Sequence, residues 1–119
     1  MRDADQKELA PEKVREMLEG GAQVIDVRED REWDAGRMPG SAHIELNELT
    51  PRSEEVAKDQ PVVFVCRTGN RSGMAADAFR EAGWQAHNMA GGLVGWVDFG
   101  LPLEPEDGEV LDRKGRPPG

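Results

Sequence analysis

The chain has one cysteine, two histidines and no tyrosine in 119 residues, and the first two scarcities each remove a class of explanation. A lone cysteine cannot close an internal disulfide, which suits a reducing compartment such as the cytoplasm. With only His43 and His87 beside it, and no Cys-x-x-C pair, the ligand spacing of a structural zinc site is missing. No metal or other cofactor is expected. Long apolar runs are missing too. The longest, Val62 to Cys66, is far short of a membrane span, and Met1 to Glu8 lacks the apolar centre of a secretory signal. Positive charge is in the minority, with 15 Lys and Arg against 24 Asp and Glu, for a net charge of −9. That balance argues against nucleic acid and membrane surfaces as partners, since both select basic faces. An anion site here must gather its positive charge locally.

What is present reads as one α/β domain. The length allows a single core. Ala10 to Leu18 has the periodicity of an amphipathic helix, with Pro11 in its first turn and Gly20-Gly21 as its stop. Ala22 to Val27 is a short β-branched strand, Asp30 to Ala35 a short helix closed by Gly36, and Ala42 to Ile44 a further short strand. Asn47 to Lys58 predicts a weak polar helix interrupted by Pro51. Pro61 to Cys66 is the clearest strand, apolar after Pro61 as a central parallel strand covered on both faces should be. Arg71 to Ala82 predicts a second helix stopped by Gly83, Gln85 to Met89 a last strand, and Leu93 to Phe99 a final helical turn. Alternating strands and helices imply a central parallel β-sheet flanked by helices on both faces. The domain is expected over 1–103. From Glu104 the chain turns acidic, then basic and rich in Pro and Gly, so 104–119 is expected to be a flexible tail.

The segment that carries chemistry is Cys66-Arg67-Thr68-Gly69-Asn70-Arg71-Ser72. It leaves the most apolar strand and opens a helix, the position where open α/β sheets bind ligands. Gly69 and Asn70 allow the loop to curl, and a curled loop aims its backbone N–H groups inward as an anion nest. The helix N-terminus adds partial positive charge, and Arg67 and Arg71 add formal charge beside Cys66. Together these favour a thiolate nucleophile and hold an anionic substrate against it. A cysteine ending an apolar strand is more often a small buried hydrophobe. A merely structural turn, however, has no use for a glycine and two cations beside that cysteine.

At this point the sequence resembles the rhodanese family over 8–103. Val24-Ile25-Asp26-Val27-Arg28 is similar to the family's strand ending in Asp-Val-Arg. Glu32-Trp33 with Gly36-Arg37-Met38-Pro39-Gly40-Ser41 is similar to its Gly-His-Ile-Pro-Gly-Ala segment. Cys66 to Ser72 resembles the active-site loop, and Asn88-Met89-Ala90-Gly91-Gly92 with Gly95-Trp96 resembles the closing Gly-Gly and Gly-Trp signature. The resemblance implies a thiosulfate sulfurtransferase. Cys66 would take sulfur from a small anionic donor as a persulfide and pass it to cyanide, a thiol or a protein acceptor. Arg67, Thr68, Gly69, Asn70, Arg71 and Ser72 would bind the substrate, with Asp26 and Arg28 as structural support through an ion pair or hydrogen bonds. The family's histidine is replaced by Arg37, read here as a solvated residue of a supporting turn. His43 and His87 are read as ordinary strand or surface residues. Trp33, Trp84 and Trp96 are read as core or rim packing, with Trp33 or Trp96 open to lining the pocket.

Three rival functions share parts of this pattern. Cysteine-dependent phosphatases and arsenate reductases use a Cys-x5-Arg loop, whereas four residues separate Cys66 from Arg71 and no nearby carboxylate offers a general acid. A protein-interaction domain on the same fold would not need the cysteine. A sulfur carrier working only between proteins would keep it.

Overall fold

A computed structural model describes residues 6–112 and residue 116. Five parallel strands form one sheet in the order β1-β5-β4-β2-β3. They are β1 (Glu8–Leu9), β2 (Gln23–Asp26), β3 (Ala42–His43), β4 (Val62–Val65) and β5 (Ala86–Met89). Three helices connect strands, α1 (Pro11–Glu19), α2 (Asp30–Ala35) and α3 (Asn70–Glu81), and a fourth, α4 (Gly92–Asp98), follows β5. Outside 47–58, the expected elements stand within one or two residues of their expected bounds.

The central strand β4 is buried at every residue, and its alternation sorts the core into two layers. Val62, Phe64 and Cys66 face one layer with Ala75, Ala76 and Phe79 of α3. Val63 and Val65 face the other, with Val14 of α1 and Leu93 and Trp96 of α4. Helices therefore cover both faces, as expected. The same parity turns the Cys66 side chain toward α3.

Three expectations are corrected. The polar helix over 47–58 is absent; two single 3₁₀ turns, Leu46–Glu48 and Ser53–Glu55, stand there instead. Pro51 lacks an N–H and restricts Thr50 before it, while Leu49 and Val56 still reach the core. The edge strand β1 was not foreseen, because two residues carry no periodicity; it pairs Glu8 with Asn88 and Leu9 with Met89. Finally, the tail expected from Glu104 is seated on the body for its first part. Glu104 and Arg37 exchange both backbone hydrogen bonds, Glu109 N–H donates to Ala35 C=O at 2.8 Å, and Val110 is buried. Leu103 and Val110 supply the apolar contact that holds this strap against α4 and Met38. Residues 1–5, 113–115 and 117–119, on which parts of the leader and tail expectations fall, lie outside the described residues.

Candidate active site

Cys66 leaves β4 and points toward the start of α3, where two N–H groups and a hydroxyl converge on its sulfur. Gly69 N–H lies 3.1 Å from Sγ, Ser72 N–H 3.4 Å, and Ser72 Oγ 3.2 Å. Gly69 is the residue before α3 and has φ 105°, a left-handed conformation that a Cβ would strain. That turn reverses the chain and aims the N–H groups inward. The partial positive charge at the start of the twelve-residue α3 falls on the same sulfur. From behind, α4 ties the loop down: Leu93 and Val94 N–H groups donate to the carbonyls of Cys66 and Arg67 at 2.9 and 3.0 Å. The approach is so close that a Cβ on Gly92 would lie 2.4 Å from the Arg67 carbonyl oxygen. This is what the Gly91-Gly92 pair does.

Asn88 of β5 braces the loop from the other side. Its Nδ2 donates to the Gly69 carbonyl at 3.1 Å and to the Glu8 carboxylate at 2.9 and 3.1 Å, and its Oδ1 contacts Ser72 Oγ. Sequence reading assigned Asn88 no role. Its signal is the placement of a polar amide in a strand buried at all four positions.

Charge around the loop is organised by buried pairs. Arg28 and Asp26 are both fully buried, and the guanidinium of Arg28 holds both carboxylate oxygens of Asp26 at 2.8–3.0 Å while also donating to Gly36 C=O at 2.7 Å. Arg71 does not stand as a free cation. Its two terminal nitrogens bind the two oxygens of fully buried Glu32 at 2.7 and 2.9 Å. Burial pushes the Glu32 carboxyl up, yet the bonds from Arg71 and the Glu29 N–H, with the charges of Arg71 and Arg28, outweigh it and hold the group below its usual range. The Glu32 hydrogen bond raises Arg71 against its own burial, and Cys66 lies close enough to add to that shift. The positive well inferred from two arginines is thus partly neutralised. Glu32 was visible in sequence only as part of a motif, although its spacing from Glu29 is that of the capping box that starts α2.

The other loop residues face outward into clefts. Arg67 lines one of about 290 Å³ with Val94, Val97, Leu103 and Val110, and its Nε is buried without a partner. Thr68 and Asn70, both exposed, border a second of about 350 Å³ with Lys7, Glu8 and Asn88. Arg71 borders a third of about 360 Å³ with Val27, Glu45, Leu46 and Asn47.

The remaining candidates serve the frame. His43 Nε2 meets Arg28 C=O at 2.7 Å, its ring stacks on Trp33 at 4.8 Å, and buried His87 bonds the Gln6 carbonyl. Trp96 is core and donates to Pro102 C=O at 2.7 Å; Trp84 packs on Phe79. Arg37, expected to be solvated, lies over the Trp33 ring, 5.2 Å from its centroid, while its backbone bridges that of Glu104. Asp30, His43 and Glu45 bring ligand atoms within 4.8 Å of one another, close enough to hold a metal ion, with Asp30 exposed. Among the described residues no helix is long and apolar enough to cross a membrane.

Known proteins agree with this geometry. The model of the Rhodanese-like domain matches residues 10–99. The putative sulfurtransferase YtwF of Bacillus subtilis is 34% identical over 92 residues, covering 76% of this chain and 89% of that protein. The thiosulfate sulfurtransferase GlpE of Pseudomonas aeruginosa is 34% identical over 103 residues, 86% of this chain and 93% of GlpE. Among solved structures, a rhodanese-related protein from Thermoplasma volcanium superposes with a TM-score of 0.76 at 26% identity, covering 82% of this chain and 96% of that one. A thiosulfate sulfurtransferase from Pseudomonas aeruginosa gives 0.76 at 27% identity, over 85% of this chain and 20% of the larger protein. With a parallel sheet of this order and a cysteine loop of this curvature, the chain belongs to the rhodanese-like domain family.

Proposed function

We propose that the protein is a sulfurtransferase that moves sulfane sulfur through a persulfide on Cys66. The observation that carries this reading is the convergence of the Gly69 and Ser72 N–H groups on Sγ at the start of α3. Such donors favour an anionic sulfur, both as the attacking thiolate and as the persulfide that replaces it. In the first half-reaction the Cys66 thiolate attacks the outer sulfur of thiosulfate or a similar donor. The new S–S bond forms as the donor's own S–S bond breaks and sulfite leaves with its electron pair. In the second, cyanide or a thiolate attacks the outer sulfur and Cys66 departs as thiolate, so no net oxidation falls on the protein. Splitting the transfer in two is the gain from covalent catalysis. With no second cysteine in the chain, the acceptor comes from outside.

Thr68, Gly69, Asn70, Arg71 and Ser72 form the cup for the donor in this reading. Arg67 contributes charge from the adjoining cleft, and the Asp26–Arg28 pair keeps the frame rigid. A protein acceptor fits the same chemistry, and the lone reduced cysteine fits a cytoplasmic setting. Intact-mass measurement after exposure to thiosulfate is the test. One added sulfur is expected, removed by cyanide or a reducing thiol and absent in Cys66→Ser. Hydrolysis of a phosphate ester without any sulfur gain would replace this reading with the phosphatase.

A further inference from the structure

The hydroxyl of Ser72 lies between two neighbours and has one proton to give. Sγ of Cys66 is 3.2 Å away on one side, and Oδ1 of Asn88 is in hydrogen-bond contact on the other. The orientation of the Asn88 amide is not open. Its other end faces the Gly69 carbonyl and the Glu8 carboxylate, which only accept, so that end is the NH₂ and Oδ1 faces Ser72. Oδ1 cannot donate. The Ser72 proton therefore lies on the Asn88 side, and the oxygen presents lone pairs to the sulfur. This suits a thiol, whose S–H donates to Oγ, and it opposes a thiolate, which needs the hydroxyl proton for itself.

From this geometry we infer that Asn88 is a positioning residue that sets the direction of the Ser72 hydroxyl. In doing so it resists ionisation of Cys66, and the hydroxyl must turn from Oδ1 to the sulfur as the thiolate forms. The contact is buried, with Ser72 fully buried and Asn88 3% exposed, so water does not replace either partner. The anchor of Asn88 reaches the edge strand through Glu8, which Lys7 meets at 3.7 Å while also binding Asp77 at 2.9 Å. The inference rests on Cys66 as the reactive group, and its test reads the ionisation of that thiol rather than sulfur transfer.

The composition makes the measurement direct. With one cysteine and no tyrosine in the chain, the ultraviolet absorbance of a thiolate, taken as the difference from Cys66→Ser, reports Cys66 alone across a pH titration. Asn88→Ala and the volume-matched Asn88→Leu release the Ser72 proton toward sulfur. Each is expected to raise the thiolate fraction about three- to tenfold at a pH below the midpoint, the effect of freeing one hydrogen bond. In a Ser72→Ala background the same substitutions are expected to leave the curve where Ser72→Ala alone puts it. A shift of equal size with and without the hydroxyl would overturn the inference, as would no shift or an alkaline one in both Asn88 variants. Because sulfur transfer is not measured, loss of the persulfide in the mass experiment with the titration result intact would sink the proposed function alone.

Discussion

Replacing Glu32 by Gln tests the buried charge that organises this site. Glu32 is fully buried and accepts three hydrogen bonds, two from Arg71 at 2.7 and 2.9 Å and one from the Glu29 N–H at 3.1 Å. Breaking a buried pair by removing one charge costs about 3–5 kcal/mol, because the surviving ion keeps its desolvation cost. Gln retains one acceptor and nearly the same volume, and the Arg71 side chain keeps 14% of its exposure to water. Both place the loss near the low end, about 3 kcal/mol. For a domain with about 5–15 kcal/mol in all, the variant still folds. The pH dependence supplies the sharper signature. The Glu32 carboxyl is held below its ordinary value of 4.5 in the folded protein, so its contribution is fully present above that value and is lost as pH falls through the folded one. Urea denaturation followed by tryptophan fluorescence at a series of pH values should show the gap between parent and Glu32→Gln wide and constant from neutral pH to about pH 5.5. It should then narrow below about pH 4.5 as the parent's own carboxyl is neutralised. A gap under about 1 kcal/mol at neutral pH, or one that does not change on acidification, would refute the argument that losing the Glu32 charge strands a desolvated Arg71 beside the loop.

Three further outcomes follow from the same contacts. Gly92→Ala places a Cβ 2.4 Å from the Arg67 carbonyl oxygen at φ 58°. It should cost about 3 kcal/mol by denaturation and slow persulfide formation, because the loop backbone must move. Val110→Ala removes two methyl groups from a side chain 7% exposed, a loss of about 1.6 kcal/mol; an unchanged thermal midpoint would show that the strap over 104–110 contributes nothing. Arg67→Met keeps the stem that lines the cleft with Val94 and Val110 and removes the charge. It should raise the KM for thiosulfate about tenfold with a smaller change in kcat, as expected when a charge-assisted contact to the donor is lost.

Much of this protein is local in origin, and local information was legible. Pro61 to Cys66 reads as a central strand, since a run of five apolar residues rich in valine is too short for a buried helix and too apolar for an exposed strand. The stop at Gly83 and the prolyl start at Pro11 bounded helices for reasons internal to those segments. The curled loop was readable because Gly69 and Asn70 permit a conformation that few other residues accept. What failed was of another kind. The 47–58 segment had helical composition but too little apolar surface to override Pro51, and Leu49 and Val56 were claimed by the core one at a time. The tail had the composition of a disordered segment, yet Leu103 and Val110 were enough to seat its first part against α4.

The sequence by itself determined four of the five strands, the place of Cys66 at the end of β4 and the loop that curls around it, because strand parity, turn residues and a helix start are written within a few positions of one another. Only the tertiary structure decided how that loop is charged. Glu32 lies 39 residues from Arg71 and Asn88 lies 16 from Ser72, and no periodicity links such positions. The fold brings them together where water is excluded, and there a hydrogen bond or a neutralised charge counts for far more than it would on the surface. Hence the two arginines that look equivalent beside Cys66 are not: Arg71 is spoken for by a buried carboxylate, and Arg67 faces the open cleft.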